Sequence, residues 1–135
     1  MKKSGSEVAN WDRTQGYNKM QSLLQANPNV KGVISGNDEM ALGAIAALKE
    51  AGKLKGVTVG GFDGSPDAVD AVKDGTLAYT VMQPVATFAA KAIEQADTFL
   101  KTGKTGASSE KQLFDCILIT KENAAKITAP FMLSE

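Results

Sequence analysis

The run Val30-Lys31-Gly32-Val33-Ile34-Ser35-Gly36-Asn37-Asp38-Glu39-Met40-Ala41-Leu42-Gly43-Ala44 decides the fold class. Its first part is short, apolar and rich in β-branched residues, as a buried strand requires. Small and polar groups at residues 35–37 interrupt it, and Asp38 is placed to cap a helix. Met40, Ala41, Ala44, Ile45 and Leu48 then recur at helical spacing, and Gly52 is positioned to end that helix. A strand that turns through a few polar residues into an amphipathic helix is the first half of a βαβ unit.

The same pattern extends in both directions. Upstream, Asp12 looks like a cap, followed by a stripe of Tyr17, Met20, Leu23 and Leu24 that stops before Asn27-Pro28. Downstream, residues 57–62 read as a second strand. Ser65-Pro66-Asp67 is a strong helix start, with Ala68, Val69, Ala71 and Val72 behind it and Gly75 at its end. Residues 77–82 form a third strand, which Pro84 stops. Residues 85–100 form the longest helix, with Phe88, Ala92, Ala96 and Phe99 as its expected buried stripe. Residues 101–112 are the best linker, polar from Gly103 onward; residues 113–119 are a fourth strand, and Thr120 starts a short last helix. This alternation predicts an α/β fold: a parallel sheet with helices on both faces, Rossmann-like or flavodoxin-like. Residues 30–35, 57–62 and 77–82 are expected as parallel neighbours.

Composition narrows the function. The chain has 135 residues, 43% hydrophobic and 22% charged, enough apolar content for one soluble core. Basic and acidic residues balance at 15 each, so charge gives no reason to expect nucleic acid or an acidic membrane surface as partner. No apolar run approaches the roughly 18 residues of a membrane span. Residues 1–7 are polar and no apolar segment follows them, so no signal peptide is expected in this chain. With no histidine and one cysteine, the usual Cys/His zinc sites and the Ser-His-Asp and Cys-His nucleophile systems are excluded within one chain. Cys116, inside the apolar run 114–119, is expected as a buried strand cysteine. Gly60-Gly61 with Gly64 has the wrong spacing for a dinucleotide fingerprint, and no phosphate-binding loop is present. A phospho-acceptor role for Asp63 would need an acidic pair at another strand end, which is not seen. Lys49, Lys53 and Lys55 read as a solvated helix end. No catalytic residue, metal site or cofactor is expected.

In open α/β sheets, ligands bind beyond the carboxyl ends of the strands. Three successive strand ends deliver Asn37, Asp63 and Gln83 to one edge. Amides both donate and accept while a carboxylate only accepts, a mixture that suits several hydroxyls. Trp11 and Phe62 supply aromatic surface for the apolar face of a sugar ring. Each has a plainer reading: Asn37 can shape a cap, Asp63-Gly64 a turn, and Trp11 a core. Their convergence at one edge favours a binding site.

Four motifs carry a resemblance. Asn10-Trp11-Asp12-Arg13-Thr14-Gln15-Gly16, Gly36-Asn37-Asp38-Glu39-Met40-Ala41-Leu42-Gly43-Ala44, Gly60-Gly61-Phe62-Asp63-Gly64 and Thr80-Val81-Met82-Gln83-Pro84 resemble the ribose-binding-protein-like type I periplasmic receptors of sugar ABC transporters. The resemblance implies two α/β lobes that close on a monosaccharide without catalysis, and a membrane permease as partner. It implies that Trp11 stacks on the sugar, that Asn37, Asp63 and Gln83 bond its hydroxyls, and that Phe62 lines the cleft. Such receptors are about twice this length, as two domains, so the lobe is expected to be incomplete. Residues 1–84 would be part of the carboxy-terminal lobe and residues 85–112 a helix and hinge packing on the other lobe. Residues 113–135 would be the last hinge strand and terminal helix. The complete protein would be periplasmic or otherwise extracytoplasmic. The uncovered surface leads to an expectation of a homodimer or a swapped assembly. The effector-binding domain of a LacI-type transcription regulator is the alternative, since it shares the fold and similar motifs.

Overall fold

The computed structural model describes residues 2–127. Four helices and four strands alternate: α1 (Arg13–Ala26), β1 (Gly32–Ile34), α2 (Asp38–Glu50), β2 (Thr58–Gly60), α3 (Pro66–Asp74), β3 (Tyr79–Met82), α4 (Val85–Thr102) and β4 (Ile117–Thr120). One sheet runs in the order β1-β2-β3-β4. β1, β2 and β3 are parallel, as the short helical crossovers require. β4 returns antiparallel to β3, with Met82 opposite Ile117 and Tyr79 opposite Thr120, so the sheet is mixed. The strands are shorter than the apolar runs that announced them. Main-chain bonds nevertheless continue past their ends, from Ser35 to Gly60, Gly61 to Tyr79 and Asp63 to Val81.

The caps explain where the helices begin. Asp12 accepts from the Gln15 amide at 2.7 Å, and Ser65 from the Ala68 amide at 3.3 Å. At α2 the expected cap is displaced by one residue: Asn37, not Asp38, accepts from the Met40 amide, at 3.0 Å. Both are good caps, and Asp38 is buried as the first helical residue instead. Gly75, with φ 77°, ends α3 as anticipated. Leu48, Val59, Val69, Val72, Leu77 and Ile119 form the centre of the core, where α2 and α3 meet the sheet. α1 lies against α2 with backbones in near contact: a Cβ on Gly43 would stand 2.1 Å from the Arg13 carbonyl oxygen.

Three expectations fail in the last third of the chain. α4 has no buried residue; of its expected stripe only Phe88 is half-buried, while Ala92, Ala96 and Phe99 are exposed. Among the described residues the helix meets little beyond residues 112–114. There Phe88 stacks edge-on against Phe114 at 5.0 Å, and Gln95 and Gln112 exchange two hydrogen bonds. Cys116 is exposed rather than buried, because β4 begins only at Ile117 and the preceding residues are irregular. In place of the short last helix expected from Thr120, the described residues hold a single 3-10 turn, Ala124–Lys126, and Thr120 still belongs to β4; residues 128–135 lie outside the described residues.

Candidate ligand-binding cleft

Beyond the carboxyl ends of the parallel strands lies a cleft of about 390 Å³ lined by Trp11, Gly36, Asn37, Phe62, Asp63 and Gln83. All five residues singled out in the sequence meet here. Gly36 is the one addition, and its role is clearance: a Cβ there would lie 3.1 Å from the Trp11 ring. Trp11 is 67% exposed, so its indole is a wall of the cleft and not part of the core.

The polar groups are partly engaged with one another. Asn37 accepts from Met40 and donates to the Trp11 carbonyl at 3.3 Å, fixing the amide that caps α2 and the turn that carries the indole. One amide hydrogen and one carbonyl lone pair of Asn37 remain for a ligand. Gln83 donates to Asp63 Oδ1 at 2.9 Å, and Asp63 Oδ2 has no partner among the described residues. The cleft therefore offers two amides and a carboxylate oxygen around an aromatic face, suited to ligand hydroxyls.

Backbone geometry marks the same place. Among the described residues, the non-glycine residues at positive φ are Asn10 at 48°, Trp11 at 62° and Asp63 at 128°. Two of them line the cleft. Such conformations cost about 1–3 kcal/mol each and persist where the surroundings over-determine them, often at binding sites.

Sequence reasoning missed the groups behind the cleft. Asp38 is only 1% exposed and bonds both Ser65 and Thr80. Burial pushes its carboxyl above the usual aspartate range, and those hydrogen bonds pull it partly back. Arg13 binds Glu39 through two nitrogens at 2.8 Å and Asp67 at 2.7 Å, joining the first turns of α1, α2 and α3 at the surface. No group of three or more His, Cys, Asp or Glu side chains converges to hold a metal among the described residues.

Residues 1–105 match the periplasmic binding protein domain family. The chain belongs to that family. As a periplasmic binding protein chain it is 53% identical over 127 residues to a D-apiose import binding protein of Paraburkholderia graminis, covering 94% of this chain and 40% of that protein. To a ribose import binding protein of Salmonella typhimurium it is 50% identical over 117 residues, covering 87% of this chain and 38% of that protein. Among solved structures it is similar to an ABC transporter periplasmic solute binding protein from Actinobacillus succinogenes 130z with bound D-allose. The TM-score is 0.81 at 34% identity, over 90% of this chain and 42% of that one. The chain thus spans about 40% of the length of these relatives. The curated relatives are import binding proteins, not enzymes.

Proposed function

We propose that this chain forms the carboxy-terminal part of the solute-binding component of a sugar ABC transporter. It takes a monosaccharide between two lobes and delivers it to a membrane permease without chemical change. One observation carries this reading: Trp11, Asn37, Phe62, Asp63 and Gln83 line a single cleft at the carboxyl edge of the sheet. An aromatic wall takes the apolar face of a pyranose or furanose ring, and the amides and carboxylate take its hydroxyls. Residues 1–84 supply these groups from one lobe. Residues 85–112 are assigned to a helix and hinge that dock on the other lobe, and residues 113–135 to the returning strand and terminal segment. The uncovered apolar face of α4 supports that division. The relatives' printed roles support a periplasmic location and an ABC permease as partner. No observation favours a LacI-type regulator.

A thermal-shift screen of the complete protein with pentoses and hexoses tests the proposal. Binding to the folded state alone raises stability by about 2.7 kcal/mol at a hundredfold excess over Kd. A cognate sugar must therefore raise Tm by several degrees. A flat response across the panel counts against the reading.

A further inference from the structure

Behind the cleft wall lies a buried polar chain that lines no part of the cleft. The Asp38 carboxylate accepts from the Thr80 hydroxyl at 2.7 Å through one oxygen and from the Ser65 amide at 2.7 Å through the other. The Thr80 oxygen accepts from the Gly64 amide at 3.1 Å. A carboxylate only accepts. It therefore fixes the direction of the Thr80 proton and leaves a hydroxyl lone pair facing Gly64. Two consecutive amides, Gly64 and Ser65, are drawn inward by this arrangement. Asp63, just before them, is turned to φ 128°. Its own amide donates to the Val81 carbonyl and its carbonyl accepts from the Gln83 amide. The approach depends on Gly61, where a Cβ would stand 2.3 Å from Asp38 Oδ1.

Among the described residues no cation pairs with Asp38. An apolar pair would fill the same space at lower desolvation cost. What the polar pair adds is direction, and the residues it directs are those between β2 and α3 that reach the cleft.

We propose that Asp38 and Thr80 are positioning residues for ligand capture, holding the loop so that Phe62 and Asp63 face the cleft. The proposal rests on the reading of that cleft as a sugar site. Titration calorimetry of the complete protein with a panel of pentoses and hexoses, D-ribose and D-apiose among them, tests it, with a urea melt run beside each variant. Thr80→Val should weaken affinity at least about tenfold, while Thr80→Ser, which keeps the hydroxyl, stays within about threefold of the wild type. Thr80→Ala replaces Thr80→Val if that variant does not fold. A merely structural threonine would shift the urea midpoint and leave the folded protein's affinity unchanged, and that result overturns the proposal. Asp63→Ala separates the two levels. If it loses sugar while Thr80→Val keeps it, the positioning role falls alone. If it binds like the wild type, or if the wild type binds no sugar of the panel, the cleft reading falls and this proposal with it.

Discussion

Replacing Asp63 by glycine and by alanine separates backbone strain from side-chain chemistry at the cleft. Asp63 holds φ 128°, a region that side chains other than glycine's rarely adopt. Both variants lose the hydrogen bond from Gln83 at 2.9 Å, so its contribution of about 0.5–1.5 kcal/mol cancels in the comparison. Alanine keeps the strain, about 1–3 kcal/mol. Glycine relieves it but gives the unfolded chain more freedom, which offsets about 0.4–1 kcal/mol. Asp63→Gly should therefore be more stable than Asp63→Ala, by an amount within the interval of about 0–2.6 kcal/mol left by those two ranges. Urea unfolding measures the difference, provided the slope is the same in both variants. An alanine variant more stable than the glycine one would refute this expectation, because φ 128° would then store less strain than glycine's extra freedom in the unfolded chain costs. Both variants should bind sugar poorly.

Gly43→Ala should destabilise the fold by about 1–3 kcal/mol, because the new Cβ meets the Arg13 carbonyl and the α1/α2 pair must part. Gly56→Ala, with nothing within 4 Å of its Cβ position, is the control for the same thermal melts. Burial holds the Asp38 carboxyl above its ordinary 3.8, so the folded state binds this proton more tightly than the unfolded chain does. Its contribution to stability is complete below 3.8 and is lost as pH rises through the raised value. Asp38→Asn should gain on the wild type as pH rises across that window; denaturant melts at stepped pH check this, and a flat or falling difference contradicts it. The isolated chain should self-associate through the uncovered faces of α4 or residues 113–119, and a monodisperse monomer in light scattering would count against that.

The parallel βαβ core was legible because its signals are local: β-branched runs, Ser65-Pro66 as a helix start, and Gly75 as its stop. The cleft was legible because parallel topology carries residues 37, 63 and 83 to one edge once the strands are placed. Three things were not legible. Asn37 and Asp38 are equally good caps on paper; burial and the Thr80 hydroxyl, supplied from 42 positions away, decide between them. The turn pair Asp63-Gly64 gave no hint that Asp63 itself takes the positive φ, because the main-chain bonds to Val81 and Gln83 that hold it there are tertiary. For α4, helical periodicity identifies an apolar face but not whether its covering surface belongs to the same stretch of chain. Ala92, Ala96 and Phe99 stay exposed although their spacing resembles a core. Cys116 failed for the same reason: an apolar run reports a preference for burial, while the pairing of β4 starts one residue later.

The proposed uptake of a monosaccharide by the cleft between Trp11 and Asp63 can be tested directly. Its most direct measurement is titration calorimetry of the complete protein with a panel of pentoses and hexoses, wild type against Asp63→Ala. A hydrogen bond to a charged group contributes about 1.5–3 kcal/mol, or about one to two decades of affinity. The wild type should bind at least one sugar, and Asp63→Ala, still folded in a denaturant melt, should bind it about ten- to hundredfold more weakly. A folded Asp63→Ala protein that binds the same sugar as tightly as the wild type would contradict this expectation.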